Sequence, residues 1–294
     1  MFLNQVKTAL LLGAMSGLLF VLGFWAGGSK GLTIALIIAL LMNFVSYFFG
    51  DKLVLAMYGA QPLDEVKFHN IYEMVEELSR NAGIPMPKLW YIPTPMANAF
   101  ATGRSPEHGS VAVTQGILDI LEEHELRGVI AHELGHIKNR DILIATVAAT
   151  IATAIGYLAN MIQWAAIFGG FGGRNDENRG GGWGALIVAI IMPIAAMLIQ
   201  LAISRSREYL ADESGANFAH DPLALASALE KLSRSSEIQH VQPETPAQTA
   251  TASMFIVYPF SGGGWISLFS THPPMEKRIR SEERRVGKEC RSRW

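Results

Sequence analysis

Cysteine is almost missing: there is one, Cys290, among 294 residues. That excludes an internal disulfide framework and a cysteine-built zinc site. Charge is scarce as well. Only 17% of residues are Asp, Glu, Lys or Arg, where a soluble domain has about a quarter. Nor is there a basic excess. The formal net charge is −2, which argues against a nucleic-acid partner. Apolar residues take the remaining room: half the chain is hydrophobic and mean hydropathy is +0.23. Part of the chain is therefore expected to lie in lipid.

The stretch 280–294, "RSEERRVGKECRSRW", differs from all that precedes it. It is arginine-rich, has no apolar periodicity and holds the single cysteine. It is expected to be a non-native tail, with the natural chain cut near Ile279. Its net charge is +3, which leaves −5 for the rest.

Four apolar runs stand out: 9–28, 32–50, 142–168 and 183–203. Each is close to the ~20 residues that span hydrocarbon as a helix. A cleaved signal peptide is the plainer reading of the first. A second full run follows at once and no A-x-A site is evident, so a helical hairpin fits better. The Gly-rich "GGFGGRNDENRGGG" between the last two reads as a surface loop. Asn160, Gln163, Pro193 and Gln200 make the second hairpin less purely lipophilic.

Four spans place both termini and residues 51–141 on one side. Lys52, Lys138, Arg140, Arg205 and Arg207 flank span ends there, against Lys30, Arg174 and Arg179 opposite. The positive-inside rule puts the polar part in the cytoplasm. The expected plan is a transmembrane hairpin over 1–50, a first peptidase part over 51–141, a second hairpin over 142–203 and a second peptidase part over 204–279. The polar part reads as α+β and mainly helical. It has an amphipathic helix over 63–83 ending at a glycine, strand-like "KLWYI" and "SVAVTQGIL", and helical spacing again over 124–141.

Within that last segment, His132, Glu133 and His136 form H-E-x-x-H. On a helix the two histidines lie one turn apart on one face and can bind one metal ion, with Glu133 beside it as a base. Zinc lowers the pKa of water and polarises a carbonyl, and a carboxylate moves the proton from the attacking water to the leaving amine. Two exposed histidines on an ordinary helix is the alternative. Gly135, a poor helix former, makes sense there if another backbone must approach. A catalytic zinc needs a third protein ligand. Glu208 can supply it, with Asp212 one turn on to orient a ligand histidine. A solvated helix with an Arg205–Glu208 pair remains the other reading of that spacing. His136 lies six residues before Ile142, and Glu208 lies five after Ile203. If those helices run straight into their spans, the metal lies within roughly 10 Å of the membrane surface.

"AHELGHIKNRD", "SREYLADESGA", "MANAFATG" and "THPPMEKRI", together with two hydrophobic hairpins, resemble the HtpX-type membrane zinc metalloproteases over nearly the whole chain to Ile279. The resemblance implies a zincin-like peptidase domain with about four transmembrane helices. It implies one Zn2+ on His132, His136 and Glu208, and Glu133 as the catalytic base. It also implies a bacterial inner-membrane location, a cytoplasmic active site, membrane quality control with membrane or misfolded polypeptides as substrates, a stress-response role and self-cleavage.

Asn98 could hold substrate backbone in strand addition, or simply make a turn with Phe100 in the core. His272 could stabilise an oxyanion, or sit in a surface turn fixed by Pro273 and Pro274. His69, His108, His124, His220 and His240 have no partner at ligand spacing and read as surface or satisfied histidines. The expected function is an integral membrane zinc endopeptidase. A zinc-binding scaffold without catalysis is the alternative, and the retained Glu133 argues against it. A transporter is disfavoured because the runs carry no Asp, Glu, Lys, Arg or His in their interiors.

Overall fold

In the computed structural model the described residues are 2–151, 153, 205–239, 254–256 and 277–283. The first helix, α1, covers Phe2–Met57, yet it is not one rod. Gly28 has φ 56, a left-handed conformation that glycine adopts without steric cost. Asn43 Nδ2 donates to Ser16 Oγ at 3.1 Å, across 27 residues. In a straight helix those residues would stand about 40 Å apart. The chain therefore doubles back at Gly28, as the expected hairpin requires.

Among the described residues one helix, Gly28–Met57, is long and apolar enough to cross a membrane. Ile34, Ile37, Leu40 and Leu41 on it are exposed. An uncovered apolar face of that kind suits lipid. The helix runs past the boundary expected at 50, because Val54 and Leu55 bury themselves against Phe100 and Phe255. The second hairpin lies outside the described residues beyond its opening helix α5, Ile142–Ile151. Of the four expected spans, then, one candidate is seen among the described residues.

A four-stranded sheet follows, in the order β1-β2-β4-β3. Its strands are β1 (Gln61–Pro62), β2 (Lys88–Ile92), β3 (Ala99–Gly103) and β4 (Gly109–Thr114). β2 and β4 are parallel, while β3 runs antiparallel to β4 with Phe100 opposite Ala112. The stretch "MANAFATG" contains β3 itself. "SVAVTQGIL" is strand only as far as Thr114. The Thr114 hydroxyl accepts from Ile117 N–H at 3.3 Å and caps α3, Gln115–Ile120.

Helix α2 covers His69–Ala82 and stops at Gly83 with φ 68. Its expected first turn is absent because the Asp64 carboxylate takes Val66 N–H and Lys67 N–H instead. The three helices behind the sheet are α4 (Glu123–Lys138), α6 (Arg205–Ala219) and α7 (Pro222–Gln239). Val129, Ile130, Leu134 and Ile137 of α4 are fully buried in the main core with Leu78, Ile117 and Leu229. Glu125 fixes the start of α4. Its carboxylate accepts from Glu122 N–H, completing a capping box, and from Lys231 Nζ at 2.8 Å on α7. A last helix, α8, covers 277–283, so the boundary expected at Ile279 falls inside it, and Glu282 beyond is fully buried.

Candidate metal centre

The centre forms where α4 and α6 cross with their backbones in contact. A Cβ on Gly135 would lie 2.9 Å from Ala211 O, and one on Gly215 would lie 2.8 Å from His132 N. Real Cβ atoms do not come so close. A glycine on each helix is what allows the approach, and the close approach expected at Gly135 is found. It brings Glu208 on α6 against the H-E-x-x-H turn of α4.

His132 Nε2 and His136 Nε2 are 3.1 Å apart. Glu208 Oε2 is 3.8 Å from the first and its Oε1 is 3.6 Å from the second. One ligand atom from each of these three residues lies within 4.8 Å of the others. Each imidazole has a carboxylate beside its other nitrogen. His132 Nδ1 is 2.8 Å from Asp212 Oδ1, and His136 Nδ1 is 3.5 Å from Asp141 Oδ2. This donor set, two tautomer-fixed imidazoles and one carboxylate on buried or half-buried side chains, fits a divalent metal ion.

Glu133 is 2% exposed, and Ala101 N–H of β3 donates to its carboxylate. Burial, with the Glu208 charge beside it, pushes its pKa up to about 8 against the pull of His136, Ala101 and Arg278. Burial drives His132 down to about 4, against its bond to Asp212. His136 behaves oppositely. Burial would lower it, but Asp141, Glu208 and Glu133 outweigh that and hold its proton to about 9.

Sequence reasoning missed two residues. Arg278 of α8 is fully buried. Its Nε donates to Asp212 Oδ2 at 3.1 Å and its Nη2 to Asp212 Oδ1 at 2.6 Å. Its Nη1 reaches Ile256 O at 3.3 Å and stands 3.6 Å from Glu208 Oε2. Burial would raise the Asp212 carboxyl, but Arg278 and His132 hold it well below the usual carboxylate range. The second is Asp141. Both sit within the quoted motifs, at "EKRI" and "KNRD". No spacing rule ties either to the histidines, because each meets its partner through a turn or a distant helix.

Asn98 precedes β3 and is 2% exposed. Its Oδ1 accepts from Ala99 N–H at 3.1 Å, and its main chain exchanges bonds with Thr114. His272 lies outside the described residues. The straight helices expected between site and membrane are not found on the α4 side. α4 ends at Lys138, and Arg140, at φ 57, turns the chain before α5 begins.

The profile of peptidase family M48 matches residues 65–286. The chain belongs to that family. Within it the chain is an HtpX-type protease. It is 54% identical over 278 residues to a "Protease HtpX homolog" of Syntrophobacter fumaroxidans, covering 94% of this chain and 98% of that protein. It is 52% identical over 284 residues to one of Aquifex aeolicus, covering 94% of this chain and 92% of that one. Among solved structures it is similar to S. mikatae Ste24p, with a TM-score of 0.50 and 16% identity. That likeness covers 96% of this chain and 66% of that one, and it concerns the fold alone.

This donor set has a consequence for pH. A metal must displace the proton that His136 holds to about 9. Affinity for a divalent metal ion is therefore expected to rise by about tenfold per pH unit from pH 6.5 toward 9, then to level off. Calorimetry in two buffers of different ionisation enthalpy should show one proton released per ion at pH 7.5.

Proposed function

We propose that the chain is an integral membrane zinc endopeptidase of the HtpX type, cutting membrane or misfolded polypeptides in membrane protein quality control. The convergence of His132, His136 and Glu208, with Glu133 buried beside them, carries this reading. His132, His136 and Glu208 would hold one zinc ion. When bound, that ion supplies a Lewis acid for the scissile carbonyl and a lowered pKa for water.

The residues divide the remaining work. Glu133 Oε takes the proton of the attacking water and passes it to the leaving nitrogen. The Ala101 N–H fixes the Glu133 carboxylate, and Asp212 keeps His132 in the tautomer that offers Nε2. Asn98, at the head of β3, and His272 are proposed to contact substrate. A substrate strand can pair with β3 at Ala99 only by replacing the bond that Ile256 N–H makes to Ala99 O at 3.2 Å.

The proposed setting is the bacterial inner membrane. Two hairpins there cross the bilayer and interrupt the peptidase domain, and the active site faces the cytoplasm. The apolar Gly28–Met57 helix and the bias of Lys and Arg toward one side support this. No nucleic acid takes part.

The full chain with a membrane-protein substrate in detergent tests the reading. Cleavage is expected with one zinc per chain, lost on chelation and regained when zinc is returned. Tight zinc binding with no cleavage of any polypeptide would leave only a scaffold and sink the peptidase.

A further inference from the structure

The two histidines are held by carboxylates of different origin. Asp212 lies on α6, one turn beyond Glu208, and is gripped by Arg278. Asp141 lies on neither of the crossing helices. It sits at the joint between α4 and α5, where the site helix ends and the third apolar run begins.

That joint is unusually specified. Arg140 adopts φ 57, a conformation that non-glycine residues rarely take and that persists only when the surroundings impose it. Its N–H donates to Ile137 O at 3.1 Å, and the Asp141 N–H donates to His136 O at 3.0 Å. The Asp141 carbonyl in turn accepts from Ala145 N–H at 3.3 Å and starts α5. The left-handed turn folds Asp141 back along the last turn of α4. Its carboxylate, 5% exposed, thereby comes 3.5 Å from His136 Nδ1. A helix that simply continued would carry residue 141 about 140° round from residue 136 and away from the ring.

We propose that Asp141 is the positioning residue of His136. It accepts from the Nδ1–H, fixes the ring plane and leaves the Nε2 lone pair aimed at the point shared with His132 and Glu208. It does for the second histidine what Asp212 does for the first. Because it is also the residue that opens α5, the hold on the metal is built into the joint through which the peptidase domain meets the third apolar run. This rests on the zinc reading above.

The test uses the full chain, with zinc affinity measured by competition with a chelator and ligand geometry read from the visible bands of the cobalt-substituted protein. Asp141→Ala is expected to weaken zinc by about 10–100-fold and to shift the cobalt bands. Asp141→Asn, whose amide oxygen can still accept from Nδ1–H, is expected to restore most of the affinity and the unshifted bands. Zinc affinity in Asp141→Ala within threefold of the unchanged chain overturns the proposal. So does an equal loss in both variants together with a lowered melting temperature of the metal-free protein, which would assign Asp141 to the joint alone. Failure of the unchanged chain to bind zinc at all sinks the zinc reading itself and is a separate result.

Discussion

Replacing Glu133 with glutamine is expected to leave bound zinc unchanged and to lower peptide cleavage by about 10^2–10^4-fold. Glutamine keeps the shape and can still accept from Ala101 N–H, but it cannot take a proton. Zinc counted beside the rate separates this from loss of the metal. Cleavage within threefold of the unchanged chain would remove Glu133 from the chemistry. The same variant has a stability signature. The folded pKa of Glu133, about 8, lies above its ordinary value near 4.5, so the folded protein binds the extra proton between those limits. Stability of the metal-free protein is thus highest below about 4.5 as far as this group goes, and it is lost as pH rises through 8. Glutamine does not titrate. The variant should melt at a similar temperature to the parent at pH 5, and several degrees higher at pH 8.

Replacing Arg278 with alanine is expected to cost about 3–5 kcal/mol of stability and to weaken zinc binding with it. The guanidinium is fully buried and pairs with Asp212 through two hydrogen bonds. Its neighbours raise its own pKa further, so it stays charged at any working pH. Without it the buried Asp212 carboxylate keeps, in this cluster, the neutral His132 imidazole and no cation. The sign with pH is opposite to that of Glu133. A carboxyl whose folded pKa is depressed contributes stability above its unfolded value near 3.8, and that contribution fades as pH falls below it. The parent and Arg278→Ala should therefore converge in acid and differ most at neutral pH. A melting shift that does not depend on pH would show that Arg278 acts by filling space.

Much of the centre was legible because one helix carries it. His132, Glu133 and His136 are fixed by a turn of 3.6 residues. Glu208 and Asp212 share a face in the same way, and Gly135 betrayed the close helix pair before the pair was seen. Arg278 and Asp141 were not legible. Arg278 reaches the site from α8 across 66 residues, and Asp141 reaches it only because Arg140 takes a left-handed turn that no residue type announces. The reversal of the chain at Gly28 was legible from its two apolar runs, but the end of the second helix was placed at 50. Val54 and Leu55 belong to the soluble core, and a hydrophobic helix does not change its look where lipid gives way to protein. Strand β3 was missed as a strand because "AFATG" is short and glycine-ended, and all five of its residues are buried, so it has no alternation to find.

The sheet's two margins meet passing chains differently from an ordinary strand edge. On one side β1 is two residues long and ends in Pro62, which has no N–H to offer. On the other, β3 turns residues 99, 101 and 103 outward, and each already has an internal partner. Ile256 takes Ala99 O, Glu133 takes Ala101 N–H and Thr146 takes Gly103 N–H at 3.3 Å. An open strand edge is a ready template for the aggregation of other chains. A strand that pairs through Ala99 O, Ala101 N–H or Gly103 N–H does so by exchange for a bond already made.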